Sequence, residues 1–156
     1  MKKIDSEKDI EFQKIIKDLI ENETVKDMRK YVQHCNTNCY EHCYMVSYYC
    51  YKICKKFNWD YKLAARAGML HDLFLYDWRK RENGRKGHHA FTHGRTACEN
   101  ACKLFDLNEK EKNMIKRHMF PVTLIPPKSK EGWLLTVIDK YCTLKEFFQY
   151  ILKKYK

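Results

Sequence analysis

Five glycines and three prolines in 156 residues leave this chain few places to turn sharply or to break a helix. Long, regular elements must therefore account for most of it, which favours helices over a many-stranded sheet. The length suits one domain with a full-sized core, and abundant aromatic residues exclude a disordered chain. The reading is an all-α chain of six to eight helices.

Apolar periodicity places them. "SEKDIEFQKIIKDLIEN" sets Ile10, Ile15, Ile16, Leu19 and Ile20 near one face, with Asp5 or Ser6 as start signals. "TVKDMRKYVQH" reads as a second helix capped by Thr24. A third starts at Asn38, with Glu41 in capping-box position, and ends near Asn58. Asp60 opens a fourth, "DYKLAARAGMLHDL", whose Ala64, Ala65 and Gly68 make a small-sided face that another helix can approach closely. The pattern lapses from Phe74 to Ala90, where "DWRKRENGRKGHH" predicts an exposed loop. Helices resume behind Thr92 as N-cap, then in "NEKEKNMIKRHMF" up to Pro121, then in a closing helix from Glu131 with a break near Thr143. No repeat or linker divides the chain.

Composition narrows function less. A formal net charge of +11 points to anionic partners, among them nucleotides, phosphate esters and nucleic acid. The N-terminal "MKKIDSEKDIEFQK" carries no apolar run after its lysines, and no apolar stretch is long enough to span a membrane. The expectation is a cytoplasmic protein whose eight cysteines are thiols.

Four of those cysteines crowd into "HCNTNCYEHCYMVSYYC", residues 34–50, which at first sight suggests a metal knuckle. The spacing argues otherwise. Cys39, Cys43, Val46, Cys50, Ile53, Cys54 and Phe57 form one helical stripe, and no C-x2-C pair occurs. A stripe of small hydrophobes packs a core. His34 stays without a role, whereas His42 gains one from residues far downstream.

His71 and Asp72 stand together at the end of an apolar helix, where a buried carboxylate beside an imidazole needs a compensating charge. His93 and His118 follow on the next two helices, and Asp139 interrupts the apolar run "LLTVIDKY". Each helix after the first two thus offers one candidate ligand, and one offers two.

The order H…HD…D, carried by His42, His71, Asp72 and Asp139, resembles the HD-domain superfamily of metal-dependent phosphohydrolases over about residues 30–145. The added His93 and His118 are similar to its six-ligand, two-metal subtype. The resemblance implies a single HD domain over 1–156, with the N- and C-terminal helices packed on its core. It implies that His42, His71 and Asp139 bind one metal, His93 and His118 a second, and that Asp72 bridges them, with His71 and Asp72 at the catalytic centre. Four imidazoles and two carboxylates suit Fe first, then Mn, Zn, Co or Ni, over Mg or Ca. Two such ions can share a water and lower its pKa, so that a metal-bridged hydroxide attacks phosphorus.

Substrate phosphates need cations. The loop between Asp72 and His93 offers Arg79, Arg81, Arg85 and Lys86, with His88 or His89 as proton donor, and Lys140 adjoins Asp139. The acidic residue that one nucleoside-monophosphate subgroup carries just after its HD pair is absent from "LFLYDW", and so is HD-x-G-K. Two-metal HD hydrolases of diadenosine tetraphosphate offer an analogy for a small nucleotide-like substrate. Two other readings compete. The same ligand order occurs in HD-fold mixed-valent diiron oxygenases, and a basic nucleic-acid-binding domain with a structural metal would also carry this charge. Oligomeric state is not legible.

Overall fold

The computed structural model describes residues 3–80 and 87–155. Eight α-helices run through them in chain order: α1 (Lys3–Lys8), α2 (Ile10–Glu21), α3 (Glu23–Lys26), α4 (Cys39–Lys56), α5 (Tyr61–Leu70), α6 (His89–Leu104), α7 (Glu109–Arg117) and α8 (Lys130–Lys154). The all-α expectation holds, with one addition. A 3-10 turn at Asp27–Lys30 and a two-stranded hairpin, β1 (Val32–His34) and β2 (Thr37–Asn38), stand where a second full helix was expected. Asn22, not Thr24, caps α3, accepting from the backbone N–H of Thr24 at 2.9 Å. Among the described residues no helix is long and apolar enough to cross a membrane.

The caps explain most boundaries. Asp9, Asn38, Asp60 and Ser129 each accept a backbone N–H from the first turn of the helix they precede. Asn108 and Glu111 form a reciprocal capping box at the start of α7. Asn58, with φ of 53°, turns the chain out of α4. Helix α6 differs from expectation: it begins at His89, three residues before Thr92, and His88 caps it without a side-chain bond. The Thr92 hydroxyl instead donates back to the His88 carbonyl at 3.1 Å. Helix α8 is unbroken at Thr143, whose hydroxyl donates to the Asp139 carbonyl one turn earlier.

Helix α4 forms the centre and is buried almost all round. Cys39, Cys43, Val46, Cys50 and Cys54 lie in the core as the stripe requires, whereas Ile53 is half-buried and Phe57, past the helix end, is exposed. Its closest neighbour is α5. The Ser47 hydroxyl donates to the Ala65 carbonyl at 2.6 Å, and a Cβ on Gly68 would come within 2.8 Å of the Ser47 Cα. The small-sided face of α5 is thus what lets the two backbones meet. Gly68→Ala should lower stability by about 1–3 kcal/mol, the usual cost of forcing an extra carbon into a packed contact. Urea unfolding checks this, and an unchanged midpoint would show that the contact yields freely.

Candidate metal centre

His71 and His118 share one local design. Each is the C-cap of its helix, α5 or α7, where backbone carbonyls lack helical partners. Each imidazole uses one: His71 Nδ1 donates to the Gly68 carbonyl at 2.8 Å, and His118 Nδ1 to the Ile115 carbonyl at 2.7 Å. His93, in the second turn of α6, does the same with the His89 carbonyl at 2.8 Å. A carbonyl only accepts, so each Nδ1 carries the proton and each Nε2 presents a lone pair inward. Glu146 Oε1, on α8, lies 3.0 Å from Nδ1 of His42 on α4 and fixes that ring the same way. Such backing partners orient metal-binding imidazoles in general.

The four Nε2 atoms converge on two carboxylates. His42 Nε2 lies 3.1 Å and His71 Nε2 3.6 Å from Asp139 Oδ1, and His71 Nε2 lies 3.3 Å from Asp72 Oδ2. The other oxygen of Asp72 faces the other way: His93 Nε2 is 3.2 Å and His118 Nε2 3.4 Å from Asp72 Oδ1. Two groups result, His42–His71–Asp72–Asp139 and Asp72–His93–His118, each with donor atoms within 4.8 Å of one another and every member buried. The structure brings together all six residues singled out in the sequence, and Asp72 is common to both groups.

These contacts call for positive charge between them. His93 Nε2 and His118 Nε2 are 3.0 Å apart, yet both rings already spend their Nδ1 proton on a carbonyl, so two lone pairs oppose each other. Among the described residues, His71 Nε2 and Asp72 Oδ1 are buried and make no well-formed hydrogen bond, only ion-pair contacts of 3.2–3.6 Å. Orphaned polar atoms at the middle of a core are costly unless something positive joins them. A divalent ion in either group would satisfy its donors, and the N/O set suits a transition metal.

Without an ion, protons take that place. Burial drives His42 toward neutrality, but Asp139 and Glu146 outweigh it and push its pKa up to about 10. Burial likewise opposes charge on His71, and Asp72 overrides it, raising His71 well above the usual range. Asp72 is held well below the normal carboxylate range against burial by His71, His93 and His118, and Asp139 is lowered by His42 and His71. Of the four imidazoles, His118 alone goes down, because burial dominates there.

Two contributors were not legible in the sequence. Gln33, on β1, donates its amide to Asp72 Oδ2 at 2.5 Å, and Glu146 holds His42 from behind. A lone Gln in a segment that reads as helix gives no signal. Glu146 follows Asp139 by seven residues, the one periodic hint that both share a face of α8.

A cavity of ≈ 540 Å³ opens over Asp72, His93 and Asp139. Trp78, His89, Met119, Lys140 and Leu144 stand in its walls. Trp78 stacks on His89, which stacks on His93, with ring centroids 5.6 and 4.4 Å apart. A larger cavity, ≈ 640 Å³, lies behind Glu146, and none of the six residues lines it. Size alone therefore does not locate the centre.

The expected phosphate clasp divides. Lys140 and His89 do line the cavity. Lys140 Nζ donates to the His118 carbonyl at 3.2 Å, and burial lowers its pKa. Arg79 stands outside these walls and grips Asp77 through Nε and an Nη at 2.9 and 2.8 Å, pulling that carboxyl down to about 2. A short-range carboxylate two residues away captures the guanidinium. His88 is exposed. Arg81, Arg85 and Lys86 lie outside the described residues.

The cysteines play no part in either group. Cys39 Sγ donates to the Asp72 carbonyl at 3.1 Å, and Cys43, Cys50 and Cys54 pack the core. Cys50→Ala should leave metal content unchanged by elemental analysis, at a stability cost of about 1 kcal/mol for the lost sulfur. Loss of metal in that variant would revive the knuckle.

No curated protein and no solved structure matches the chain. The family model described as "HD domain" does, over residues 39–144, a span that contains all six buried ligand candidates. By that match and this geometry the chain belongs to the HD domain family, whose members are in general metal-dependent hydrolases.

Proposed function

We propose that the chain is a metal-dependent phosphohydrolase acting on a phosphate ester or anhydride of a small, nucleotide-like substrate. The observation that carries this reading is Asp72, whose two oxygens serve two separate imidazole groups. His42, His71, Asp72 and Asp139 would hold one divalent transition metal, iron first among the candidates, and Asp72, His93 and His118 a second. When bound, such ions supply Lewis acidity toward a phosphoryl oxygen and activate water as a nucleophile.

The chain's own groups do the rest. Gln33 fixes the rotation of the Asp72 carboxylate through its amide. Lys140 offers an ammonium at the rim of the cavity, already half inside the protein, where a phosphate oxygen gains most from it. Trp78, Met119 and Leu144 give the cavity apolar walls that exclude water and accept a planar ring.

The test is reconstitution. Metal-free protein is loaded with Fe(II), Mn, Co or Zn under anaerobic conditions and screened against nucleotides and dinucleoside polyphosphates for released phosphate. Metal-dependent release supports the proposal. Fully loaded protein that releases none from any of them, while consuming oxygen with an organic substrate, contradicts it.

A further inference from the structure

Helix α8 has two apolar faces, and only one is used. Leu135, Asp139 and Cys142 point into the core. The opposite face carries Val137, Tyr141, Leu144, Phe148, Ile151 and Tyr155, spaced alternately by four and three residues. That is the spacing of a helix seam made for another helix. All but the half-buried Ile151 are exposed, Leu144 at 57% and Phe148 at 61%. Lys145 and Glu146 still reach Tyr49 and His42 on α4, but from Phe147 onward every residue of α8 except the half-buried Ile151 is exposed, so its last two turns project from the body of the protein. A helix of that length is marginal without tertiary packing.

We propose that a second copy of this chain covers the stripe, in an antiparallel pair of α8 helices with the dyad midway between Leu144 and Phe148. The register is self-complementary. A dyad there sets Val137 against Tyr155, Tyr141 against Ile151, and Leu144 against Phe148. Apolar meets apolar throughout, as an isologous interface requires. Because the body of each protomer packs on the first half of α8, the antiparallel arrangement lays the projecting half of one helix along the body of the other and keeps the two bodies apart. With about half of each large side chain exposed, the stripe offers roughly 600 Å² per protomer, the lower end of what a standard stable interface buries on each side.

Charge permits the pairing. Lys140 and Lys145 flank the stripe, and both fold back onto their own chain, Lys140 to the His118 carbonyl and Lys145 to the Tyr49 hydroxyl at 2.8 Å. Lys153 and Lys154 lie on the far side of the helix. The pairing also bears on the cavity over Asp72, because Leu144 belongs to both the stripe and the cavity wall. A partner helix at the dyad would stand at the mouth of each site.

Light scattering on the purified full chain tests this, and it does so whatever reaction the site performs. The expected mass is twice 19.0 kDa at micromolar concentration. Leu144→Glu and, separately, Val137→Glu should each give a monomer with an unchanged far-ultraviolet circular dichroism spectrum, since both positions are exposed in the protomer. A wild-type monomer overturns the proposal, even if the stripe then binds vesicles or another protein. So does a dimer that persists in both variants.

Discussion

Asp72→Ala should empty both halves of the centre, with metal content falling to background and turnover dropping by at least about 100-fold. That figure is the upper range for disturbing a partner behind a metal ligand, so losing a ligand shared by two groups sets it as a floor. The reason for so large an effect is the position of the side chain. Its two oxygens are the nearest anionic atoms to His71 on one side and to His93 and His118 on the other. Truncation leaves three buried imidazoles without their counter-charge and Gln33 without its acceptor. Removing one member of a buried charged set costs roughly 3–5 kcal/mol, so the metal-free variant should unfold at lower urea while keeping most of its helix signal. His71→Ala should also lose metal, chiefly from the group that contains Asp139. Full metal occupancy in Asp72→Ala by elemental analysis would remove the basis of the assignment.

The second large effect is on pH. In the metal-free protein His42 holds its proton up to about pH 10, against an ordinary value of 6.5. A raised folded-state pKa contributes stability that is fully present below the unfolded value and is lost as pH rises through the folded one. Asp72 and Asp139 are shifted down, so their contribution is present above the ordinary value of 3.8 and is lost as pH falls below it. Metal-free protein should therefore be most stable between about pH 4 and 6.5 and should lose several kcal/mol from there to pH 10. Metal must displace these protons, so its affinity should rise over the same interval. Thermal melts with and without added Mn or Zn read both effects. The melting temperature of the metal-free protein should fall from pH 6.5 to 10 while the increment from metal grows. A flat metal-free profile would mean that His42 does not share its proton with Asp139 and Glu146.

The six residues that cluster in the core were legible because they follow from positions on helices. His42, His93 and Asp139 sit within helices, and His71 and His118 close two others. The small residues Ala65 and Gly68 announced the close α4–α5 contact that aligns His42 with His71. The hairpin that carries Gln33 was not legible. Its residues "VQH" and "TN" are too few to show a period, and Met28 and Val25 before them continue a helical pattern. The start of α6 was misplaced for a related reason. Thr92 is a good capping residue by type, but the helix is set by the packing of His89 and His93 against Phe74 and Trp78, which no local rule reports. Arg79 was read as a phosphate ligand by its charge and its place between Asp72 and His93, and its capture by Asp77 depends on a turn geometry that composition does not reveal. Glu146 reached His42 across 104 residues of sequence, a contact that only the folded chain defines.

The account rests on two cation positions sharing Asp72. Anomalous diffraction from crystals of the protein loaded with Mn or Fe tests that most directly. The prediction is two peaks per chain, one among His42, His71, Asp72 and Asp139, the other among Asp72, His93 and His118. A single peak away from Asp72, or one ligated by Cys39 and Cys43, would contradict it.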